Sequence, residues 1–211
     1  GREKVLLFNS GFAANQALCQ ALYANRKTEQ QGDIIADKLI HASFIDGAQA
    51  THARLHRFKH NDVSHLQALL DKTQPDSDVL VATEGVFSMD GDQAPLEDIQ
   101  PLVEQANAWL MVDDAHGFGV LGEKGLGMAE LHQLSQQQLP VLMATFGKAI
   151  GTAGAFVAGS QALIDYLINY ARHYIYSTAM PAAQAYATLA CLQSKKRLEN
   201  QEILQQHIVQ F

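Results

Sequence analysis

The sequence predicts an α/β domain with a largely parallel sheet, and three observations support this prediction. Short apolar runs bounded by turn residues recur along the 211 residues, as strands would. Amphipathic segments lie between these runs, and this alternation is typical of parallel sheets. The hydrophobic fraction of 47% is enough to bury the core of one sizeable domain. We therefore expect a single layered domain.

Seven apolar runs are predicted to form the strands. In chain order they are VLLF (5–8), DIIAD (33–37), RLHRF (54–58), DVLVATE (78–84), WLMVDD (109–114), PVLMATF (140–146) and AGAFVAG (153–159). The intervening segments have the apolar spacing of amphipathic helices, which predicts helices over residues 12–26, 42–52, 62–74, 97–107, 161–173 and 181–206.

Charge and hydropathy exclude several classes of function. The formal net charge is −7, and the sequence has no basic stripe that would neutralise the phosphates of a nucleic acid. No apolar run approaches the roughly 20 residues of a membrane-spanning helix, and the first residues lack the layout of a signal peptide. We therefore expect a cytoplasmic protein that acts on small molecules. Both ends look cut, which predicts a piece of a longer protein.

Polar residues follow several predicted strands, at the edge where open α/β sheets bind ligands. Lys148 comes just after the strand 140–146, within a run of small residues, FGKAIGTAGA. A desolvated amine there would have a lowered pKa, which suits a lysine that forms an imine with a carbonyl group. An exposed loop lysine is the ordinary alternative, and the neighbouring strand ends favour the first interpretation.

Asp113 ends the strand WLMVDD. A carboxylate buried at a strand end can bind the protonated pyridine nitrogen of pyridoxal phosphate (PLP), which keeps the ring an electron sink. We assign this role to Asp113, and a capping aspartate is the alternative. Asp113, Asp114 and His116 together also suggest a metal site, but a divalent ion needs more converging ligands than this run supplies. We expect no bound metal.

A glycine motif after the same strand suggests a different cofactor. Residues 117–122, GFGVLG, match the dinucleotide fingerprint G-x-G-x-x-G. A true fingerprint opens directly into a helix, and an acidic residue closes the next strand. Here the glycines continue into GEKGLG, and the next strand ends in Ala144 and Thr145. We interpret the match as accidental, so a nicotinamide-dependent dehydrogenase is the weaker hypothesis.

Two further segments suit PLP. SGFAANQALCQAL (10–22) predicts a tight turn at Gly11 and then a helix whose first amides are unpaired, which is an anion site for the PLP phosphate. The hydroxyl of Thr145 could add a contact. His41 follows a short strand, and an imidazole can stack on a pyridine ring and transfer protons. A plain serine-capped helix and a structural histidine remain the alternatives.

Three histidines, His52, His56 and His60, are spaced four residues apart, as on a metal-binding helix. Residues 54–58 alternate like a strand, however, and a strand would scatter the three rings. We therefore predict a solvated surface here.

Taken in order, these residues resemble the α-oxoamine synthases, a family of fold-type I PLP enzymes. The matching blocks are SGFAANQA, DKLIHASFIDGA, RFKHND, TEGVFSMDGDQAPL, VDDAHGFGVLGEKGLG, TFGKAIGTAGAF and YSTAMPAAQA. The resemblance implies a three-layer α/β/α large domain over residues 1–211, with the family's amino-terminal segment and small carboxy-terminal domain absent from this sequence. The segment YANRKTEQQGDII (23–35) is longer than the family pattern leads us to expect.

The resemblance also implies roles for the residues around the PLP ring. Lys148 would hold the cofactor covalently and later remove the α-proton of the substrate. Asp113 would pair with the pyridine nitrogen, and His41 would stack on the ring. His116 and Ser88 would contact the phenolic oxygen.

The phosphate end of the cofactor would be bound by a second group of residues. By the same resemblance, Gly11, Phe12 and Thr145 belong to this group. Ser177 and Thr178 would reach the phosphate of the neighbouring subunit. The site would then lie at the interface of a homodimer.

The reaction implied by the resemblance is a decarboxylative condensation of L-alanine with a pimeloyl thioester of coenzyme A or of a carrier protein, in biotin biosynthesis. Other members of the family, of the 5-aminolevulinate synthase, 2-amino-3-ketobutyrate ligase and serine palmitoyltransferase types, share the lysine, aspartate and histidine set and remain alternatives. A catalytically silent domain is a further hypothesis, but it would not need Lys148, Asp113, His116 and His41 together. As a partial chain, the sequence is expected to be inactive on its own.

Overall fold

A seven-stranded mixed sheet organises the chain in the computed structural model, which describes residues 1–24, 32–74 and 76–210. The strands are β1 (Lys4–Phe8), β2 (Asp33–Asp37), β3 (Arg54–Phe58), β4 (Val79–Glu84), β5 (Trp109–Asp113), β6 (Val141–Thr145) and β7 (Ala155–Gly159). The helices are α1 (Gly11–Tyr23), α2 (Ala42–Gln49), α3 (Val63–Leu70), α4 (Leu96–Gln105), α5 (Met128–Leu131), α6 (Gln161–Tyr170), α7 (Arg172–Ile175), α8 (Ala182–Gln193) and α9 (Lys196–Gln210).

The sheet is parallel over five neighbouring strands and antiparallel at one edge. Its order is β1-β7-β6-β5-β4-β2-β3; β7 runs antiparallel to both β6 and β1. A crossover between parallel strands needs a dozen or more residues, whereas only residues 146–154 join β6 to β7. This short connection forces β7 to reverse direction, and it carries Lys148.

Two separate hydrophobic cores, one on each face of the sheet, make the fold three-layered, as predicted. Helices α1, α2 and α6 contribute to the first core, whose fully buried members include Leu18 and Phe44. Helices α3, α4 and α5 contribute to the second core, around Leu66, Ile99 and Met128. Layers of this kind arise because each face of a parallel sheet is apolar and must be covered.

The predicted strands are confirmed to within two residues at each end, but the predicted helices are too long. The helix predicted over 12–26 is α1, which ends at Tyr23. Residues 25–31 lie outside the described residues; they include the last two residues of this predicted helix and the middle of the long segment 23–35. The helix predicted over 161–173 breaks at Ala171, and the one over 181–206 breaks at Ser194. Both residues have extended ψ angles, 100° and 129°, which end the helical hydrogen bonding.

The last two helices lie against the domain rather than within it. Thr188 is the buried residue of α8, and α9 has no buried residue. The α9 side chain of Gln201 donates hydrogen bonds to the carbonyl oxygens of Val120 and Gly122, which ties this helix to the turns after β5. Over the described parts of the chain, the helices are all too short or too polar to cross a bilayer.

Candidate functional site

Acidic residues end three neighbouring parallel strands at one edge of the sheet. Asp37 ends β2, Glu84 ends β4 and Asp113 ends β5, and all three are buried. Glu84 and Asp113 are register partners, so they lie side by side on adjacent strands. Lys148 follows the end of β6 on the other side of Asp113. The edge predicted from the sequence is therefore the place where ionisable groups collect.

Lys148 has the lowered amine pKa that the sequence predicted. Partial burial disfavours the ammonium form and lowers the pKa, while the negative charges of Asp113 and Glu84 oppose this shift. The side chain is nevertheless exposed rather than enclosed. Since the uncharged amine is the nucleophilic form, the shift makes Lys148 more reactive toward a carbonyl group.

Asp113 is held by two hydrogen bonds in a buried position. One carboxylate oxygen accepts a bond from the side-chain amide of Asn15 at 2.9 Å, and the other accepts one from the Ala115 N–H at 3.2 Å. Burial raises the pKa of Asp113, and the Asn15 bond is the strongest influence in the opposite direction. The bond to Ala115 also caps the turn after β5, so the capping interpretation is correct for one of the two oxygens.

Two histidines lie near Lys148 and Asp113. His41 is exposed and caps the start of α2, where its Nδ1 accepts a hydrogen bond from the Ser43 N–H. His116 is half-buried in the turn after β5. Burial lowers the pKa of His116, and the positive charges of Lys148 and His41 lower it further. These charge effects show that the four residues predicted around the ring lie in one cluster, which consists of Lys148, Asp113, His41 and His116.

Glu84 is a member of this cluster that sequence reasoning left without a role. Burial, together with the negative charge of Asp113, raises its pKa to about 8, and its carboxyl accepts a hydrogen bond from the His41 N–H. At neutral pH Glu84 is therefore mostly protonated, and its neutral form adds no negative charge beside Asp113. Its position at the end of a strand next to that of Asp113 was the available signal.

The start of α1 lies next to the end of β6, as the phosphate prediction requires. A Cβ atom placed on Gly11 would be 4.0 Å from Thr145 Cβ, and Ser10 caps the helix by accepting from the Ala13 N–H at 3.1 Å. Within the described residues, the hydrogen bonds leave the N–H groups of Gly11 and Phe12 unused. Free amides at a helix start form an anion site.

The hydroxyl of Thr145 is already engaged. It donates to the Gly154 carbonyl oxygen at 2.8 Å and accepts from the Gly147 N–H at 3.2 Å. An anion at the start of α1 would thus meet the amides of Gly11 and Phe12 directly, and Thr145 only after its hydroxyl rotates.

Three further predicted residues form no hydrogen bond or ion pair with Lys148 or Asp113 over the described residues. Ser88 is exposed in the turn after β4. Ser177 and Thr178 follow α7, and the Thr178 carbonyl oxygen accepts a hydrogen bond from the Asn9 side chain at 2.7 Å. Asn9 comes two residues before Gly11 in the sequence, so this contact places Thr178 near the start of α1.

The solvated surface predicted for the histidine triplet is wrong for two of its members. His60 lies between Asp37 and Asp92, at 3.0 and 2.7 Å, and His56 is 3.0 Å from Asp33. Burial alone would lower the pKa of His60, but the two carboxylates raise it. Two carboxylates on one imidazole make a structural link between the loops after β3 and β4.

The structure also decides the two alternatives raised after β5. Glycines 117, 119 and 122 lie in turns and no helix opens directly from them, so the dinucleotide fingerprint is accidental. Asp114 is fully buried and accepts from the Met128 N–H at 2.8 Å, on the opposite face of the strand end from Asp113. Groups of three potential metal ligands are absent from the described residues.

Comparisons with known proteins agree with this arrangement. A family model described as aminotransferase class I and II matches residues 1–211. A curated protein named 8-amino-7-oxononanoate synthase, from Cellvibrio japonicus (strain Ueda107), is 54% identical over 193 residues, which are 91% of this chain and 47% of that protein. The chain therefore spans about half the length of the curated relatives it matches.

Two solved structures are also similar. The 8-amino-7-oxononanoate synthase from Francisella tularensis is 37% identical with a TM-score of 0.80, over 94% of this chain and 55% of that one. A serine palmitoyltransferase from S. paucimobilis, with bound PLP and myriocin, is 30% identical with a TM-score of 0.85, over 94% of this chain and 48% of that one.

Proposed function

The chain belongs to the aminotransferase class I and II family, and on that premise we propose that residues 1–211 are the PLP-binding large domain of an 8-amino-7-oxononanoate synthase. The observation that carries this proposal is Lys148, an amine of lowered pKa beside the buried carboxylate of Asp113. The name of the 54% identical relative supports the choice within the family.

The residues present fit PLP in chemical type. Asp113 is a buried anion suited to a protonated pyridine nitrogen, and Lys148 is a nucleophilic amine suited to the aldehyde group. The unused amides of Gly11 and Phe12 suit the phosphate. When bound, PLP supplies an electron sink for the substrate carbon next to the amino group.

Further residues are assigned by the same fit. We assign His41 to stacking on the ring, and His116 and Ser88 to its phenolic oxygen. Thr145 joins Gly11 and Phe12 at the phosphate. All of these residues lie at the same edge of the sheet, where β1, β2, β4, β5 and β6 end.

The proposed reaction joins L-alanine to a pimeloyl thioester, with loss of carbon dioxide and of the thiol carrier, to give 8-amino-7-oxononanoate. Lys148 would accept the α-proton of alanine, since its lowered pKa favours the uncharged amine, which is the form that can take up a proton. His41 and His116 border the same place and would orient the reacting groups. Asp113 would hold the positive charge of the ring nitrogen in place.

PLP binding tests the cofactor proposal directly. We expect the chain to form a coloured adduct with PLP that borohydride fixes to the peptide containing Lys148, as read by mass spectrometry. Lys148→Ala should lose the fixed adduct, whereas Lys59→Ala, which removes another exposed lysine, should retain it. Adduct spread over several surface lysines, and equal in both variants, would refute the proposal.

Substrate choice needs the full-length protein, because the chain covers only half of its relatives. Serine palmitoyltransferase is the second candidate, supported by the TM-score of 0.85. We expect product from L-alanine with pimeloyl-coenzyme A and little from L-serine with palmitoyl-coenzyme A. The reverse result would reassign the enzyme within the family.

We also propose that the enzyme is a cytoplasmic homodimer, with Ser177 and Thr178 serving the phosphate site of the partner subunit. The support is a groove lined by Leu7, Tyr174 and Ile175 beside these two residues, with all three apolar side chains well exposed. Sedimentation of the full-length protein should give twice the subunit mass. In a mixture of Thr178→Ala and Lys148→Ala proteins, activity should differ from the sum of the separate variants if the sites are shared.

A further inference from the structure

Asn15 connects two parts of the site that lie on different elements. It is buried in α1, and its side-chain nitrogen donates one hydrogen bond to Asp113 Oδ2 at 2.9 Å and another to Ser43 Oγ at 3.0 Å. Ser43 Oγ is in turn 2.7 Å from His41 Nδ1. An unbroken line of hydrogen bonds thus runs from Asp113 at the end of β5 to His41 at the start of α2.

The donors and acceptors of this line can be assigned in only one direction. A carboxylate only accepts, so the amide nitrogen of Asn15 must face Asp113, and its second hydrogen goes to Ser43 Oγ. The Ser43 hydroxyl then keeps its own hydrogen for His41 Nδ1, which also accepts from the Ser43 N–H at 3.2 Å. His41 Nδ1 is therefore the unprotonated nitrogen, and the ring proton is on Nε2.

Close packing of two helices makes the line possible. A Cβ atom on Gly47 of α2 would lie 2.9 Å from the backbone Cα of Gln16 in α1. Without that atom the helices approach closely enough for Ser43 to reach Asn15. The arrangement depends on three elements packed together, so it is specific to the folded domain.

The arrangement also has a cost that stability alone does not explain. The carbonyl oxygen of Asn15 is buried without a hydrogen-bond partner among the described residues, and an unpaired buried acceptor is destabilising. Neighbouring buried positions of α1 carry apolar residues such as Ala14, Ala17 and Leu18. An apolar residue at position 15 would bury no unpaired oxygen, so core packing does not account for Asn15. This favours a role for Asn15 in the site.

We propose that Asn15 and Ser43 are positioning residues that couple the orientation of the Asp113 carboxylate to the tautomer of His41. This inference rests on the proposed function, because Asp113 and His41 would hold the cofactor ring. Asn15 orients one carboxylate oxygen and favours its charged form. Ser43 passes the same constraint to His41, so that the ring presents Nε2–H.

The two residues can be separated by substitution. Asn15→Leu keeps a similar volume but removes both donated bonds, so it disturbs Asp113 and His41 together. Ser43→Ala removes the hydroxyl bonds to His41 and Asn15 but leaves the bond from Asn15 to Asp113 in place. Ser43→Thr retains a hydroxyl and should restore the parent behaviour. Gln16→Leu is the matched control, because Gln16 is the next residue of α1 and contacts His173 instead.

The first readout is the tautomer of His41 in the chain without cofactor, from the nitrogen chemical shifts of ¹⁵N-histidine-labelled protein. A His41→Gln variant identifies the signal. We expect the Nε2–H form in the parent, in Gln16→Leu and in Ser43→Thr. Ser43→Ala and Asn15→Leu should show a lower fraction of this form, because in them the backbone N–H at position 43 still donates to Nδ1 but the fixed hydroxyl bond is lost. An unchanged His41 tautomer in Ser43→Ala would overturn the proposal, whether or not PLP binds.

The second readout is PLP affinity, by titration of the same variants. Loss of a hydrogen bond to a charged group corresponds to about a ten- to hundredfold weaker affinity, which we expect for Asn15→Leu. Gln16→Leu should bind as the parent does, and an equal loss in both variants would contradict the proposal. If the parent itself failed to bind PLP, the proposed function would fail, while the tautomer result would still decide the coupling. Circular dichroism identifies a variant that does not fold. If Asn15→Leu does not fold, the comparison of Ser43→Ala with Ser43→Thr tests the proposal.

Discussion

Asp114 should make the stability of the domain depend on pH. Its carboxyl is fully buried, and burial, aided by the charge of Asp113, raises the pKa from 3.8 to about 7. A carboxyl with a raised pKa in the folded state stabilises the fold fully below pH 3.8, and this contribution is lost as the pH rises toward 7. Each pKa unit corresponds to about 1.4 kcal/mol, so the loss between pH 4 and pH 8 is at most about 4 kcal/mol.

Asp114→Asn removes the titration but retains the shape of the side chain. The free energy of unfolding of this variant, relative to the parent, should therefore rise by up to about 4 kcal/mol between pH 4 and pH 8. Urea unfolding followed by circular dichroism measures both proteins at each pH. Asp76→Asn, at an exposed carboxylate, should run parallel to the parent. A difference between Asp114→Asn and the parent that stays constant across this range would refute the reasoning.

Two further substitutions test packing. Gly127→Ala would place Cβ against an Asp114 carboxylate oxygen at a φ of 81°, whereas Gly91→Ala has a similar φ, 72°, in open space. We expect Gly91→Ala to lower the free energy of unfolding by about 1 kcal/mol and Gly127→Ala to lower it clearly more. Equal losses in urea unfolding would contradict the steric argument. Phe44→Ala should destabilise the domain by about 3–5 kcal/mol, because it leaves a cavity in the first core. Phe12→Ala, at a side chain that is 47% exposed, should cost less than about 1 kcal/mol. Similar losses for both variants would contradict the burial of Phe44.

The strands could be predicted because burial on both faces produces continuous apolar runs, such as the one that forms β4. The direction of β7 could not be predicted from such a run, since a buried strand has the same composition whether it is parallel or antiparallel. The length of the connection 146–154 contained that information, because it is too short for a crossover. Helix ends at Ala171 and Ser194 were missed because the apolar spacing continues through both breaks.

The site was predictable where a residue directly follows a strand. Lys148, Asp113, His41 and His116 were found in this way, because parallel strands bring their carboxyl ends to one edge. Asn15 and Ser43 were not, since both lie within helices. Their roles depend on the approach of α1 to α2, which no local pattern specifies.

Burial acts on four ionisable groups of the site in one direction, toward their neutral forms. It raises the pKa values of Asp113 and Glu84 and lowers those of Lys148 and His116. The neutral carboxylic acid of Glu84 can donate a proton, and the neutral amine of Lys148 can accept a proton or attack a carbonyl group. The burial that disfavours charge therefore also favours the reactive forms of both groups. The proposed role of Asp113 needs the charged form, and the hydrogen bond from Asn15 is the strongest influence in favour of that form. Asp113 is therefore the residue at which the proposed need for charge and the cost of burial oppose each other most directly, and Asn15 is the residue that acts most strongly against the effect of burial.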